Sequence, residues 1–351
     1  MPRQSFWASK RVLLTGQTGF KGSWLMAWLQ RLGAEVHGMA LAPDTAPSLY
    51  LDLRFQDAPG HFLGDIRDAA LVRRRVSEVR PDVVFHLAAQ PLVLRSYDDP
   101  LETWGTNVLG TAHVLDALRP LDNKMAIVVI TTDKVYENTE TGRAYEETDR
   151  LGGHDPYSAS KAACELVVDS YRRSFLASGS KHLASARAGN VIGGGDWARD
   201  RIVPDIARAL ASGTAITLRN PDAVRPWQHV LDPLAGYLKL VEDLWDRPDL
   251  GTAFNFGPDP AGIRSVRDLV ELAIQHWPGT WQDASETTKP HEAGRLSLSI
   301  EKAQRELGWQ PVWDFEQSVA QTIDWYQRYA AGVPAAELVD DQISQFEKAL
   351  S

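Results

Sequence analysis

The stretch that decides the fold is RVLLTGQTGFKG, from Arg11 to Gly22. Its first residues form a short apolar run that ends at a glycine, which is typical of a strand buried on both faces. Glycines then recur at every third position, Gly16, Gly19 and Gly22. Glycine permits a tight turn and a close backbone approach to a phosphate, and a following helix N-terminus adds oriented N–H groups. Between a strand and a helix, this turn predicts a dinucleotide-binding site.

A helix is predicted directly after the turn, and strands and helices then alternate. The helix has apolar residues at helical spacing, namely Trp24, Leu25, Trp28, Leu29 and Leu32. Gly33 suits its end, and Pro120 ends a later helix. Further strands are predicted at about residues 35–41, 82–88, 126–132 and 252–258. The alternation predicts an α/β fold with a Rossmann-type, doubly wound parallel sheet.

The pattern changes after about Ala188. A glycine loop at 193–195 follows, and proline and tryptophan recur between more irregular segments. We therefore expect residues 1–188 to form the Rossmann domain that binds the dinucleotide, with later returns of the chain to it near 229–257. Residues 189–351 are expected to form mostly a smaller C-terminal substrate-binding domain.

Composition and charge exclude several classes of protein. The 351 residues carry a net charge of -9, which argues against a nucleic-acid-binding protein. The single cysteine, Cys164, permits no intrachain disulfide and fits a reducing cytoplasm. No apolar run predicts a signal peptide or a membrane span, and no His, Cys and carboxylate cluster has zinc-like spacing. We expect a cytoplasmic protein without nucleic-acid, membrane or metal partners.

The segment after the second strand bears on the choice of cofactor. An acidic residue that binds the adenosine ribose is expected near Ala40, but the first acid is Asp44. No arginine lies there to favour a ribose phosphate, so NAD is favoured over NADP. Asp65 and Ile66 follow a probable third strand in GDIRD and are candidates for contact with adenine. The alternative for Asp65 is a helix N-cap.

A tyrosine and a lysine in DPYSASK are candidates for proton transfer. Tyr157 and Lys161 are four residues apart, and Pro156 suits the first turn of a helix, so the two share one helical face. A lysine charge stabilises a phenolate and lowers the tyrosine pKa from about 10. Tyr157 is then able to exchange a proton with a sugar hydroxyl while hydride passes to or from a nicotinamide.

The turn TTDK, Thr131 to Lys134, ends a predicted strand. The carboxyl ends of parallel strands are where such sheets place their chemistry. Thr132 is a candidate to hydrogen-bond the reacting hydroxyl, Asp133 to act as a general acid, and Lys134 to act as a base if burial lowers its pKa. The alternative for Asp133 and Lys134 is an exposed pair in a turn.

Taken together, these motifs resemble the extended short-chain dehydrogenase/reductase family of nucleotide-sugar epimerases and dehydratases. The resemblance runs from about Lys10 to Trp309 and rests on TGQTGFKG, HLAAQ (86–90), NVLGT (107–111), TTDK, YSASK and RAGNVIGGGDW (187–197). TTDKVYEN, RAGNVIGGGDWARDRIVPDI and RNPDAVRPWQHVLDPL are similar to the CDP-glucose 4,6-dehydratase branch. The resemblance implies bound NAD, held by Gly16, Thr18, Gly19, Phe20, Lys21, Gly22, Asp65, Ile66, Ala88, Ala89, Gln90, Asn107, Tyr157 and Lys161.

The resemblance also implies a reaction. Tyr157 takes the proton of the glucose 4-hydroxyl, and hydride moves from carbon 4 to NAD. A base removes the acidified proton on carbon 5, and the 6-hydroxyl leaves as water. Hydride then returns to carbon 6 and a proton to carbon 5, which gives CDP-4-keto-6-deoxy-glucose. The dTDP-glucose branch has a glutamate as this base, whereas this sequence has Lys134. Either neutral Lys134 or another group is the base here, and Asp133 is the acid for the leaving water.

Substrate contacts follow from motif position within the family. Asn190 and Arg225 are candidates to hold the diphosphate, Arg219 is a weaker one, and His291 with Glu292 is expected near the sugar nucleotide. Trp197 and Trp227 are candidates to line the sugar or cytosine site, with core packing as the alternative, and His86 and His229 are expected to be structural.

The sequence leaves three functions possible and gives one expectation for assembly. The chain is a dehydratase, a nucleotide-sugar 4-epimerase that needs Tyr157 and Lys161 but not Asp133 and Lys134, or a non-catalytic NAD-sensing protein. The family implies a homodimer through helices near 107–118 and 157–175.

Overall fold

The computed structural model describes residues 1–140, 142–176, 179–285 and 296–350. The strands are β1 Arg11–Thr15, β2 Glu35–Met39, β3 Val83–His86, β4 Met125–Ile130, β5 Lys181–Ala188, β6 Val191–Ile192, β7 Ile216–Leu218, β8 Val224–Pro226, β9 Gln228–His229, β10 Ala253–Phe256, β11 Ile263–Ser265 and β12 Trp281–Asp283. The helices are α1 Gln4–Trp7, α2 Phe20–Arg31, α3 Leu49–Asp52, α4 Ala69–Val79, α5 Val93–Asp98, α6 Pro100–Trp104, α7 Gly110–Leu118, α8 Pro156–Phe175, α9 Ile202–Ser212, α10 Leu231–Leu244, α11 Val266–His276, α12 Glu301–Leu307, α13 Phe315–Ala330 and α14 Ala335–Ala349.

The central sheet contains six parallel strands in the order β10-β5-β4-β3-β1-β2. The chain leaves β1 for β2 on one side and then returns to place β3 on the other side of β1. Strand order therefore reverses between β1 and β3, and ligands of such sheets bind in the crevice outside that point. The predicted α/β fold with a Rossmann-type, doubly wound parallel sheet is confirmed.

The predicted strands are present, but most are shorter than expected by one or two residues at an end. The segment before Asp65 is not a regular strand, although it runs parallel to the edge of β2. It makes one isolated bridge, between Leu63 and Ala40, and Gly60 and Gly64 form backbone hydrogen bonds with Gly38 at 2.9 Å and with the Ala40 carbonyl at 2.8 Å.

Both faces of the sheet are covered, which explains why the central strands β3 and β4 are buried at every position. In β3, Val83 and Phe85 belong to the core on the α2 and α10 side, and Val84 belongs to the core on the α4 and α7 side. A parallel sheet with helices on both faces buries successive residues alternately against the two layers. The carboxyl ends of the strands are thus held by two packed cores.

The C-terminal helices also pack against the nucleotide half of the molecule. Trp28 of α2 donates its indole N–H to Glu347 of α14 at 2.9 Å, and its ring meets Phe346 edge-on at 5.8 Å between centroids. One hydrophobic core includes residues from both halves of the chain. The division into 1–188 and 189–351 is therefore a proposal about roles and does not separate two independent cores.

Among the described residues, no helix is both long enough and apolar enough to cross a membrane.

A buried carboxyl in α10 makes the stability of the fold depend on pH. Asp232 is fully buried, and its Oδ1 accepts the backbone N–H of Val312 at 2.6 Å. Its Oδ2 is buried without a hydrogen bond in the described part of the chain. Burial raises the pKa of Asp232 from 3.8 to about 7.

We expect Asp232→Asn to flatten the dependence of unfolding free energy on pH. Between pH 4 and 7 the native protein keeps a proton on Asp232 that the unfolded chain has lost, so stability falls as pH rises through this window. The upper limit of this loss is about 4 kcal/mol. Urea unfolding at a series of pH values measures it, with exposed Asp98→Asn as the control. Equal slopes in the Asp232→Asn variant and the parent would contradict the assignment.

Candidate active site

The glycine turn after β1 fits a dinucleotide, and its three glycines differ in the reason for being glycine. A Cβ on Gly16, whose φ is +79°, would lie 2.7 Å from the nitrogen of Ala88, and a Cβ on Gly22 would lie 2.1 Å from the Gly16 oxygen. A Cβ on Gly19 would meet nothing closer than 3.5 Å. Gly16 and Gly22 are thus required by packing, whereas Gly19 leaves the N-terminus of α2 open, as a pyrophosphate requires.

Replacing Gly19 by alanine is expected to weaken NAD binding at least about tenfold, or ~1.4 kcal/mol, without loss of folding. The added methyl group meets space in the protein but occupies the approach to the helix N-terminus. Titration of NAD by tryptophan fluorescence measures the affinity, and thermal unfolding checks the fold. Gly22→Ala is the contrasting variant, because its Cβ collides with backbone and lowers stability. Unchanged NAD affinity in Gly19→Ala would exclude a phosphate at this turn.

Thr18, Asp65 and Ile66, which were also predicted to contact the cofactor, differ in their surroundings. Thr18 donates to the Leu41 carbonyl at 2.9 Å and ties the turn to the segment after β2. Asp65 accepts the backbone N–H and the guanidinium of Arg67, which holds its pKa below the usual range. The N-cap of α4 is Asp68, so the alternative prediction that Asp65 is a helix N-cap is wrong. Ile66 is buried.

The loop after β3 is held by two buried amides. Asn107, in a π-helical turn at Gly105–Leu109, accepts the Gln90 backbone N–H at 2.8 Å and donates to the Gln90 carbonyl at 3.1 Å and to Ser160 Oγ at 2.9 Å. Gln90 donates its own amide to Thr103 at 2.9 Å. Since both side chains are buried and bonded within the protein, they position the loop that carries Ala88 and Ala89 beside the glycine turn.

His86 is structural, as expected. It is buried between Thr15, 2.7 Å from Nδ1, and Thr111, 3.0 Å from Nε2. Thr111 donates its own hydrogen to the Asn107 carbonyl, so Nε2 donates and Nδ1 accepts, which assigns a neutral ring. Burial, with the nearby Lys161 charge, lowers the pKa of His86 to about 3. His229 is also fully buried, and burial lowers its pKa to about 3.

The TTDK turn and the start of α8 bring the predicted catalytic residues together. Asp155 caps α8 by accepting the Ser158 N–H at 2.9 Å, and Pro156 occupies the first turn. Thr132 donates to Asp133 Oδ1 at 2.9 Å, and its hydroxyl lies close enough to Tyr157 to lower the pKa of that phenol. Tyr157, Thr132, Asp133 and Lys161 are all buried. The exposed-turn alternative is therefore wrong for Asp133.

The pKa of Tyr157 departs from the sequence prediction. Burial raises it to about 12, against the lowering by Thr132 and Arg201. The prediction that Lys161 brings it below 10 is wrong for the protein's own groups, because desolvation of the phenolate dominates. Lys161 directs its ammonium to the Ile130 carbonyl at 3.2 Å.

Asp133 has the environment of a proton donor. Burial raises its pKa, while the charges of Lys134, Arg225 and Lys21 act in the opposite direction. A carboxyl whose pKa is raised keeps its proton to a higher pH than an exposed one, which suits a group that donates a proton. Arg225 is buried in β8, which places a predicted phosphate ligand beside the catalytic turn.

Two further cations, Lys21 and Arg201, lie near Tyr157 and Asp133. No sequence pattern predicted Arg201. Burial and the charges of Arg201 and Lys161 lower the pKa of Lys21 to about 8. Arg201, at the N-cap of α9, pairs with Asp196 at 2.9 Å and acts on the pKa values of both Lys21 and Tyr157. Arg201 lies in a segment that resembles the family, but nothing in its spacing marks it.

The predicted substrate residues are only partly brought together. Asn190 is half-buried just after β5, on the side of Arg225, whereas Arg219 is exposed and pairs with Asp200 at 2.9 Å. Trp197 packs edge-on against Tyr326 at 5.2 Å and lines a cavity of about 300 Å³ that none of the catalytic residues lines.

Trp227 and the pair His291 and Glu292 were also predicted to lie near the substrate. Trp227 is buried and donates to the Arg264 carbonyl at 3.0 Å, so the packing alternative is favoured for both tryptophans. His291 and Glu292 lie outside the described residues. In the described ranges, no group of three or more His, Cys, Asp or Glu side chains is placed to hold a metal ion.

A glycine turn at the switch point of a parallel sheet, with a Tyr–Lys pair facing a Thr–Asp turn, defines a nucleotide-binding enzyme of the short-chain dehydrogenase/reductase class. The sequence profile described as GDP-mannose 4,6-dehydratase matches residues 13–322. The chain belongs to this family, and it is a nucleotide-sugar 4,6-dehydratase, a hydro-lyase.

Similarity to individual proteins extends over nearly the whole chain. The CDP-glucose 4,6-dehydratase of Salmonella typhimurium is 43% identical, with 94% of each chain covered. The dTDP-glucose 4,6-dehydratase DesIV of Streptomyces venezuelae, solved with NAD and TYD bound, has a TM-score of 0.78 at 27% identity, covering 92% of this chain and 98% of that one. A UDP-glucose 4-epimerase of Thermus thermophilus in complex with NAD has a TM-score of 0.77 at 27% identity, covering 90% and 99%.

Proposed function

We propose that this dehydratase acts on CDP-glucose and uses NAD as an oxidant that stays bound through turnover. The 43% identity to a CDP-glucose 4,6-dehydratase over 94% of both chains supports the substrate. The observation that carries the chemistry is the buried Asp133 beside Tyr157, since elimination of water needs an acid as well as a base. An epimerase has no use for that acid.

The residues of the site have separable tasks in this reaction. When bound, NAD supplies the acceptor for hydride from carbon 4 and the hydride returned to carbon 6, and its oxidised ring adds a positive charge. A positive charge beside Tyr157 lowers the pKa of its phenol, and the resulting phenolate takes the proton of the 4-hydroxyl. Thr132, which lies close to Tyr157, is placed to hydrogen-bond the same hydroxyl. Asp133 protonates the departing 6-hydroxyl.

Removal of the carbon 5 proton is assigned to Lys134 on position alone. Lys134 is half-buried next to Asp133, where its charge lowers the pKa of that carboxyl. Lys134 is proposed to accept the carbon 5 proton through the lone pair of its amine once the ketone at carbon 4 has acidified that proton. Asn190 and Arg225 are proposed to hold the diphosphate, because the guanidinium fork matches phosphate oxygens.

The experiment that tests this proposal is incubation of the purified protein with CDP-, dTDP-, UDP- and GDP-glucose, followed by product mass. Loss of one water from CDP-glucose without net reduction of NAD is the expected result. A mass-neutral change of sugar stereochemistry would make the chain an epimerase. Dehydration of a different nucleotide sugar would support the reaction type but contradict cytosine as the nucleotide base of the substrate.

We also propose that the protein is cytoplasmic, on the basis of its single cysteine.

We further propose that the protein is a homodimer. The adjacent helices α5, α6 and α8, with the π-helical turn, present large exposed apolar side chains. These are Leu94, Tyr97, Leu101, Trp104, Leu109, Leu166 and Phe175. Contiguous apolar surface of this kind marks an interface, and two antiparallel copies of one helix pair are able to bury it.

The double substitution Leu101→Glu and Leu109→Glu is expected to convert the dimer to a monomer. The two side chains are 82% and 59% exposed, so the charges cost nothing in a monomer but are buried in the proposed interface. Light scattering after size-exclusion chromatography gives the mass. The control is Leu51→Glu in α3, where a leucine 46% exposed lies outside this surface. A monomeric parent protein would refute the proposal.

A further inference from the structure

We propose that Glu165, paired with Arg187, is a positioning residue that fixes the catalytic turn against α8 and places a fixed negative charge one helical turn from Lys161. The proposal rests on the function proposed above and assigns a role to a buried ion pair beneath the site. Glu165 lies four residues after Lys161 and eight after Tyr157, so the three share one face of α8.

Three residues of this helix face contact three consecutive residues at the end of β4. Lys161 Nζ donates to the Ile130 carbonyl at 3.2 Å, and Thr131 Oγ1 donates to Glu165 Oε1 at 2.5 Å. Thr132, the next residue, lies close enough to Tyr157 for its hydroxyl to lower the pKa of the phenol. Two hydrogen bonds therefore set the register between the strand and the helix just before Asp133, and Glu165 makes the second of them.

The other carboxylate oxygen of Glu165 anchors this arrangement to the sheet. It accepts Ser185 Oγ at 2.7 Å and Arg187 Nη2 at 2.9 Å, both from β5. Arg187 Nη1 in turn donates to Tyr136 at 2.8 Å, and the Tyr136 hydroxyl donates to Asn255 Oδ1 of β10 at 2.7 Å. One buried network thus joins β4, β5, β10 and α8.

A role in stability alone does not explain this pair. Both side chains are 4% exposed, and a buried ion pair gains little over apolar residues of the same size because desolvation offsets the attraction. What such a pair does provide is a fixed charge in a fixed place. Burial opposes ionisation of Glu165, but Arg187, Thr131 and Ser185 hold its pKa below the ordinary value.

Lys161 is the group that this fixed charge serves. Burial lowers the pKa of Lys161, and Cys164 and Glu165 raise it. From other elements, it is faced by His86 of β3, which is neutral, and by Lys21 of α2. Glu165 is the fully buried carboxylate that opposes the desolvation of Lys161. Its removal leaves Arg187 uncompensated, which adds a second influence in the direction of deprotonation.

The test is Glu165→Gln, examined in the holoenzyme with CDP-glucose and, without substrate, by NAD binding. We expect kcat to fall about tenfold or more with KM for CDP-glucose within about twofold. The alkaline limb of the kcat/KM profile, and the pH above which NAD affinity declines, move down by ~1 pH unit or more. Glu165→Asp is expected to restore the parent pH profile in part.

A matched control separates positioning from folding. Glu242 is also a buried carboxylate that binds an arginine, Arg3 Nε at 3.0 Å, and the Trp7 indole at 2.7 Å, far from the site. Glu242→Gln is expected to lower stability without moving either pH profile. If Glu165→Gln moves neither profile and leaves kcat unchanged, the proposal is overturned.

If Glu165→Gln does not fold, the variant Thr131→Val tests the positioning role instead. Thr131→Val deletes the link between Glu165 and the catalytic turn but keeps the ion pair. It is expected to lower kcat with an unshifted pH profile, and an unchanged kcat would overturn the proposal. If the parent protein dehydrates no sugar nucleotide, the proposed function fails, while the NAD-binding profiles still test Glu165.

Discussion

Tyr157→Phe is expected to reduce kcat for dehydration by roughly 10³-fold, within the range found for loss of a general base. The phenol is buried at the start of α8, close to Thr132. Its removal takes away the group that accepts the 4-hydroxyl proton before hydride can leave carbon 4. Because oxidation at carbon 4 comes first, both hydride transfer and loss of water should disappear together. The fold is expected to be unaffected, since phenylalanine fills the same volume.

Single-turnover mixing with CDP-glucose measures this effect through the near-ultraviolet absorbance of reduced nicotinamide. Tyr171→Phe is the matched control, because it makes the same change on the same helix beyond the network of Glu165. A Tyr157→Phe variant that keeps more than about a tenth of the parent kcat would assign the proton transfer to another residue.

Asp133→Asn is expected to separate the two halves of the reaction. Asparagine is able to accept the hydrogen bond that Thr132 now donates to Asp133, but it has no proton to give to the leaving hydroxyl. Oxidation at carbon 4 should continue while dehydration falls about 10²- to 10³-fold. Reduced nicotinamide should then accumulate on mixing with CDP-glucose, where the parent protein shows little net reduction.

The control for this experiment is Asp232→Asn. Asp232 is the same kind of group, a fully buried carboxyl with a raised pKa, but it lies in α10 against Val312 and away from the turn. Its replacement should leave dehydration intact. Unimpaired dehydration by Asp133→Asn would remove the acid from the mechanism and favour an epimerase-like use of the site.

Local pattern was sufficient for the fold and for the outline of the site. The apolar runs around Leu13, Phe85 and Val128 predict buried strands because each is covered on both faces, and Gly16 predicts the turn because backbone there admits no side chain. The glycine spacing marks the turn in the sequence, although the backbone that excludes a side chain at Gly16 is that of Ala88, far along the chain. The segment before Asp65 was expected to be a strand, and it does make backbone hydrogen bonds to the edge of β2, but it forms one isolated bridge rather than a regular strand.

The errors in the site arise from burial, which sequence does not specify. The spacing of Tyr157 and Lys161 places them on one face, but the pKa of Tyr157 depends on how completely the phenol is desolvated. Arg201 was missed because α9 brings it to the site from a distant part of the chain. Glu165 could have been found, since it continues the spacing of the Tyr–Lys pair by four more residues.

The late position of β10 in the chain has a consequence for synthesis on the ribosome. β5 is buried throughout most of its length, yet the strand that pairs with its outer edge, Ala253–Phe256, is translated about seventy residues later. Until then a nascent chain carries an open strand edge with unpaired backbone groups, which is a site for aggregation and for chaperone binding. The nucleotide half is therefore expected to remain incomplete during translation and to close only when the chain has returned from the substrate-binding part.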